Sequence, residues 1–351
     1  MKILIMSTPV GALSSGIGGG VELTIFNLIQ ELQTKNHHVV TVAPQGSTFK
    51  NAEIIGIDGN VHIPAQTQTR DTPIVMPENS VLGNMWEYAR QVQSEYDLLV
   101  NFAFDWLPFY LTPFFTTPIA HFISMGSLSD SLDQIMAQTA CLYPDNFAVY
   151  TQAQALTFPF PEACQCLGSG IDLSIYKYQA TAEKKLAWLG RIAPEKALED
   201  AVQACEMTQT PLLIFGKIQD EEYWQKIQTD YPNAPIEYKG FLSTTDLQAE
   251  LGQCQALLMT PRWIEAFGNV AIEALACGVP VISYARGGPA EIIVDGQTGF
   301  LVTPDSVEGL ADSIRKLDTI DRQHCRDRAE KLYSLEAWGD RFEKWLKSIA
   351  K

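Results

Sequence analysis

The chain has 351 residues, 46% of them apolar, and a formal net charge of −16 at neutral pH, which is material for two domains of about 150–200 residues each. The first 167 residues hold 5 basic and 14 acidic side chains, a balance that argues against nucleic acid and against a polybasic membrane-docking face; no apolar run of about 18 residues free of breakers is present to span a bilayer. The seven cysteines are irregularly spaced and are expected to be reduced and mostly buried; Cys164 and Cys166, the one close pair, lack partners at zinc-site spacing.

Lys2 to Thr8 reads as a first buried strand. The start MKILIMSTPV has one lysine, a short apolar run and no small-residue cleavage site, so it reads as strand rather than export signal, and a cytoplasmic location is expected. The loop 9–20, PVGALSSGIGGG, carries Gly16, Gly18, Gly19 and Gly20. Residues 21–34 follow as a helix, with Val21, Ile25, Leu28 and Leu32 on one stripe and Glu22 in the first turn. A glycine-rich loop between a strand and a helix start suits an anion, and it equally suits a tight turn. It is neither the dinucleotide fingerprint nor a P-loop, because no Lys–Ser/Thr follows.

His37 and His38 fall in the turn before a strand at 39–43. Residues 46–75 read as short β-rich segments, 78–95 as a helix, and 97–101 as a strand. Then comes FAFDWLPFYLTPFF, the most aromatic stretch of the chain. It reads either as core packing around a proline-broken connection or as a ligand wall. In the second case Asn101 and Asp105 supply polar contacts, and Phe102, Trp106 and Phe109 supply flat surfaces for a planar molecule. His121 ends a strand at 118–122; a lone histidine is more often a satisfied polar group than a catalyst. A further strand is expected at 147–151.

In the second half, a strand at 185–189 runs into Gly190. Arg191 and Lys196 then place two cations at a strand-to-helix transition, with Pro194 suited to a first helical turn. They read as ordinary surface cations or as a diphosphate clamp. A strand at 212–216 ends in Gly216. A charged helix is expected at 219–230 and a strand at 236–242, with Ser243 as an N-cap and Asp246 at N3. Around Pro261 to Thr298 the pattern is strand, helix, strand. The glycines Gly268, Gly278, Gly287 and Gly288 punctuate it at strand ends, where open parallel sheets hold ligands. Glu265 lies in the loop before the helix. Glu273 lies inside the helix among Ala, Ile and Leu, where a carboxylate is costly unless paired or hydrogen-bonded. It is either a half-exposed surface glutamate or an acceptor for ligand hydroxyls, with the first free N–H groups of the same helix facing a phosphate. Helices at 307–317 and 321–333 follow. The terminal stripe Trp338, Phe342, Trp345 and Leu346 must cover an apolar surface.

The pair Glu265/Glu273, continuing through ALACGVPVI and GGPAEII to DGQTG, resembles the retaining glycosyltransferases of family 4. The resemblance implies the α/β GT-B fold, with two Rossmann-like α/β/α domains facing across a cleft. Residues 1–167 would bind the acceptor, with a C-terminal helix, 336–351, packing back onto them. Residues 168–335 would bind the nucleotide sugar, the crossing lying near Gly168 to Asp172. It further implies that Arg191 and Lys196 hold the leaving diphosphate and that Gly19, Gly20, Phe267, Gly268 and Asn269 border the donor. Gly216 would lie beside its phosphate and ribose, with the backbone around Phe241 reading the base. Glu265 would hold the 3- and 4-hydroxyls of the sugar, Glu273 the ribose, and His121 a place near the 6-hydroxyl. Ala197 stands where the family usually has glycine, a change expected to be tolerated.

Retention implies an α-glycoside. No prosthetic group is implied, and no metal, since no D-x-D arrangement is present. The basic N-terminal face of lipid-modifying relatives is missing, so a small soluble acceptor is expected, with neither nucleic acid nor a stable membrane partner. The stretches STPVGALSSGIGGGVELT at 7–24 and NFAFDWLPFYLTPFF at 101–115 resemble, within that family, the cyanobacterial group that moves glucose from UDP-glucose to tetrahydrobiopterin. Other donors and other small acceptors remain open, as do a nucleotide-sugar hydrolase or epimerase and a non-catalytic binding protein. No oligomeric state follows from the sequence.

Overall fold

A computed structural model describes residues 1–15 and 19–350. The chain forms two compact units, one made of Met1–Gly170 with Leu335–Lys351 and the other of Ile171–Ser334. Each is built on a wholly parallel sheet.

The first sheet contains β1 (Lys2–Met6), β2 (His38–Pro44), β3 (Glu53–Ile57), β4 (Leu98–Asn101), β5 (Ile119–Phe122), β6 (Phe147–Val149) and β7 (Cys164–Cys166). Their order is β3-β2-β1-β4-β5-β6-β7, and every pairing is parallel. Strands such as KILIM and LLVN are apolar along nearly their whole length because helices cover both faces of a parallel sheet. The chain order reverses between β1 and β4, so the loops leaving these two strands diverge and open a crevice at their carboxyl ends. The helix Leu335–Ile349 buries Trp338, Phe342, Trp345 and Leu346 in this unit. Phe342 packs on Phe122 at 5.3 Å. The Trp338 and Trp345 indoles donate to the carbonyls of Gly168 and Asp145.

The second sheet contains β8 (Leu186–Leu189), β9 (Leu212–Phe215), β10 (Ile236–Gly240), β11 (Ala256–Met259), β12 (Val281–Tyr284) and β13 (Gly299–Val302), in the order β10-β9-β8-β11-β12-β13. All pairings are again parallel, and here the order reverses between β8 and β11. The expected doubly wound α/β architecture is therefore present in both units. Ser243 caps the helix Thr244–Gly252 by accepting from the Asp246 amide, as its sequence context suggests.

Four elements go beyond the sequence reading. Trp106–Leu111 is helical despite Pro108, because a proline in the first turn loses no intrahelical bond and Asp105 caps the start. Asp130–Leu142 is a full helix burying Leu132, Met136, Thr139 and Ala140. β7 and β13 close the sheets' edges. In β7, Cys164 is buried and Cys166, two residues on along the same strand face, is exposed. No helix among the described residues is long and apolar enough to cross a membrane.

Candidate active site

In the Ile171–Ser334 unit the loops that leave β8 and β11 meet at the reversal of strand order. Gly190 and Gly216 end neighbouring strands. Gly216 sits at φ 133°, and a Cβ there would lie 1.8 Å from the Gly190 carbonyl, so only glycine permits this approach. The chain then turns through Pro194–Lys196 into the helix Leu198–Thr208, with Ala197 between them in the left-handed region at φ 46°. The loop after β11 is stitched to this turn. The Thr260 hydroxyl lies 2.9 Å from the Lys196 carbonyl and 2.8 Å from that of Ala197, and the Arg262 amide donates to the Glu195 carbonyl at 2.9 Å. The Arg262 guanidinium also reaches Glu199 and, at 2.8 Å, Asp200. Asp200 in turn accepts from the Tyr284 hydroxyl at 2.7 Å. From the other side the Gly287–Gly288 pair packs on the same loop: a Cβ on Gly287 would lie 2.6 Å from the Glu265 backbone, and the Gly288 amide donates to the Glu265 carbonyl.

This framework gathers the sequence-predicted Arg191, Lys196 and Glu265. Lys196 forms an ion pair with Glu265 Oε2. Arg191 contacts Glu195 at 3.1 Å and donates to Gln219. Between them lies Trp263, which the sequence reading did not single out. Its indole N–H donates to Glu265 Oε2 at 2.9 Å, while Lys196 Nζ stands 4.7 Å and Arg191 Cζ 5.9 Å from the indole ring. The signal in the sequence was a tryptophan two residues before Glu265 in the loop after a strand; the two cations come to it only in the fold.

The helix Asn269–Ala276 begins after Gly268, at φ 96°, without a side-chain cap. Asn269 Oδ1 is buried and makes no hydrogen bond among the described residues. Four residues further on, the half-buried Glu273 carboxylate has no hydrogen-bond or ionic partner among the described residues, and burial pushes its pKa up to about 7. Phe267 is buried against Tyr333. On the β9–β10 side, Phe241 is 70% exposed, with Lys217 Nζ 4.8 Å from its ring centre. The unit thus offers cations, an uncapped helix start, an exposed aromatic ring and a carboxylate suited to accept hydroxyl protons. That donor and acceptor set is chemically able to hold a phosphorylated, polyhydroxylated ligand.

The other unit disposes of its predicted residues differently. His121 is fully buried. Its Nε2–H donates to Thr112 Oγ1 at 2.9 Å, Thr112 donates to the Pro108 carbonyl, and Nδ1 accepts from Asn101 at 3.1 Å. Burial holds its pKa down to about 3. Both ring nitrogens are thus engaged within the protein, and the expected sugar contact would have to replace one of these bonds. Asn101 is likewise buried, its amide also bonded to both backbone polar groups of Ala103. Phe109 is only 1% exposed, packed on His121 and Phe147; it is core rather than wall, and Phe102 is also buried. Asp105 caps the helix Trp106–Leu111 and accepts from or pairs with His62 Nδ1 at 2.8 Å, while His62 Nε2 meets Ser80. Trp106 is half-buried and stacks on Tyr110 at 4.6 Å; Tyr110 is 45% exposed. Gly19 and Gly20 are exposed at the start of the helix Gly20–Thr34, with Gly19 at φ 61° and no side-chain cap. Gly16 and Gly18 lie outside the described residues. Glu22 is buried and accepts from the Ser14 amide at 2.7 Å. Among the described residues no group of three or more histidine, cysteine, aspartate or glutamate side chains is arranged to hold a metal ion.

Residues 177–332 match the family model described as glycosyl transferases group 1. The chain is 30% identical to glycogen synthase of Mycobacterium tuberculosis over 159 residues, 42% of this chain and 38% of that protein, so the match spans well under half of that relative. Among solved structures, HepE of Anabaena in complex with UDP is similar with a TM-score of 0.77 at 18% identity, covering 99% of this chain and 100% of that one. AviGT4, a glycosyltransferase involved in avilamycin A biosynthesis, is similar with a TM-score of 0.71 at 16% identity, covering 100% and 98%. Residues 177–332 therefore carry the sequence signature of the group 1 glycosyl transferases, and the chain as a whole carries the GT-B glycosyltransferase fold.

Proposed function

We propose that the chain is a retaining glycosyltransferase that moves glucose from UDP-glucose to a small hydroxylated acceptor, giving an α-glucoside. The observation that carries this reading is the Lys196–Trp263–Glu265 cluster with Arg191 beside it, at the strand-order reversal of a sheet. In this reading Arg191, Lys196 and the amides of Gly268 and Asn269 take the diphosphate. Glu273 accepts the ribose hydroxyls, Glu265 accepts those of the sugar, and Phe241 and Gly216 border the nucleoside. The bond between the sugar C1 and the diphosphate oxygen breaks as the acceptor oxygen bonds C1 on the same face. The electron pair leaves with UDP, whose charge the cations meet, and the acceptor's proton passes to the departing phosphate oxygen. The reading assigns no step to a metal ion, and Gly19 and Gly20 complete the donor contacts.

For the acceptor, the resemblance favours a reduced pterin such as tetrahydrobiopterin, with Trp106 and Tyr110 as the remaining flat surfaces. The inward placement of Asn101 and Phe109 favours a second reading, another small metabolite or sugar. The test is a screen of nucleotide sugars against reduced pterins and simple sugars, with product mass as the readout, run with and without excess chelator. UDP-glucose consumed only with acceptor, in chelator, and yielding a product heavier by one hexose supports the proposal. Consumption independent of acceptor identifies a hydrolase, and binding without consumption a non-catalytic protein.

A further inference from the structure

We propose that Trp263 is a positioning residue that sets phosphate recognition and sugar-hydroxyl recognition in one register; this rests on the donor reading above. Lys196 and Arg191 both approach its ring, at 4.7 and 5.9 Å. A π face attracts a cation through its quadrupole and carries no net charge. It therefore helps hold the two cations in place without adding negative charge to that of Glu265 and Glu195, with which they are already paired. The N–H on the edge of the same indole donates to Glu265 Oε2, the oxygen that also takes Lys196. With Oε2 occupied twice, the carboxylate cannot rotate freely, and Oε1, which has no partner among the described residues, is the oxygen left for a ligand hydroxyl. Arg262, next in the chain, anchors the backbone on Glu195, Glu199 and Asp200, so the indole projects from a fixed loop. The ring face and the ring edge thus serve two halves of one ligand, and the two functions can be separated by substitution.

Trp263→Phe keeps a ring face and deletes the N–H; Trp263→Leu deletes both. UDP and UDP-glucose are the probes, with calorimetric binding of UDP, kcat and KM for UDP-glucose, and thermal melting as readouts. Trp263→Phe is expected to bind UDP within about threefold of wild type while kcat/KM for UDP-glucose falls about tenfold or more. Trp263→Leu is expected to lose about tenfold in UDP affinity as well. Equal losses for both probes in both variants, tracking a fall in melting temperature, would show a merely structural tryptophan and overturn the inference. So would two variants indistinguishable from wild type. Wild-type protein that binds neither probe would overturn the donor reading and this inference together, whereas wild type that binds and turns over its donor leaves the variants to decide the inference alone.

Discussion

The loops after β8 and β11 and the stretch after β4 and β5 occupy equivalent places, at the carboxyl ends of parallel strands where the order reverses or just beside it. Both are rich in polar and aromatic residues. After β4 and β5 the polar groups satisfy one another: Asn101, His121, Thr112 and the Ala103 backbone form a closed, buried network. After β8 and β11 the arrangement differs: Asn269 Oδ1 is buried without a hydrogen bond among the described residues, and Arg191 and Lys196 rest partly on an uncharged ring. Unpaired buried polar atoms occur in the first unit too, among them Ser129 Oγ and Asp133 Oδ1, so an open buried group does not by itself mark a ligand site. What separates the two stretches is arrangement: a buried network closed on itself in one, and cations, a carboxylate and an indole gathered at a strand end in the other.

The largest expected effect tests the closed side. Phe109→Ala should destabilise the protein by about 3–5 kcal/mol, the range for a buried aromatic cut to alanine, with the UDP dissociation constant unchanged at a temperature where the variant is folded. A variant of undiminished stability with a raised acceptor KM would restore Phe109 to the ligand wall and erase the contrast.

On the open side, Arg191→Ala should remove about 2–4 kcal/mol of transition-state stabilisation, the scale of one preorganised donor, with melting temperature little changed because the side chain is exposed. Turnover within threefold of wild type would remove Arg191 from the clamp.

Glu273→Gln separates function from stability. Burial raises the folded-state pKa from 4.5 to about 7, so between these pH values the folded state binds the proton more tightly than the unfolded state. The penalty is absent below about pH 4.5, grows as pH rises, and is complete above about pH 7. Glutamine cannot ionise. The variant should therefore be more stable than wild type at pH 8, by about 2 kcal/mol after allowing for partial exposure, and equally stable at pH 4.5, while binding UDP more weakly. Denaturant titrations at the two pH values measure the first effect. A stability difference that is the same at both would show that the carboxylate has a partner in the empty protein.

The smallest effect concerns the turn that carries Lys196. Ala197 is in the left-handed region at φ 46°, a conformation that strains an L-residue by about 1–2 kcal/mol. Glycine relieves that strain and returns part of the gain as unfolded-chain entropy. Ala197→Gly should raise stability by about 0.5–1 kcal/mol in thermal melting; a lower melting temperature would mean that the buried methyl contributes more than the strain costs. The same angle explains why glycine suits this position, a reason that alanine's helix propensity conceals.

What the sequence by itself determined was the architecture. Apolar strands closed by glycine, alternating with amphipathic helices, specify doubly wound parallel sheets, because strands buried on both faces are apolar throughout and each crossover must be a covered helix. Tertiary structure alone decided which polar residues were already spoken for. Nothing local to His121 announces Thr112, nor does anything local to Asp105 announce His62, 43 positions away. Trp263 and Lys196 lie far apart in the chain and meet only because β8 and β11 are neighbours. Periodicity is a property of a segment, and the sequence displays it. Hydrogen-bond satisfaction is a property of distant segments brought together, so the cluster of Lys196, Trp263 and Glu265 exists only once the sheet has formed.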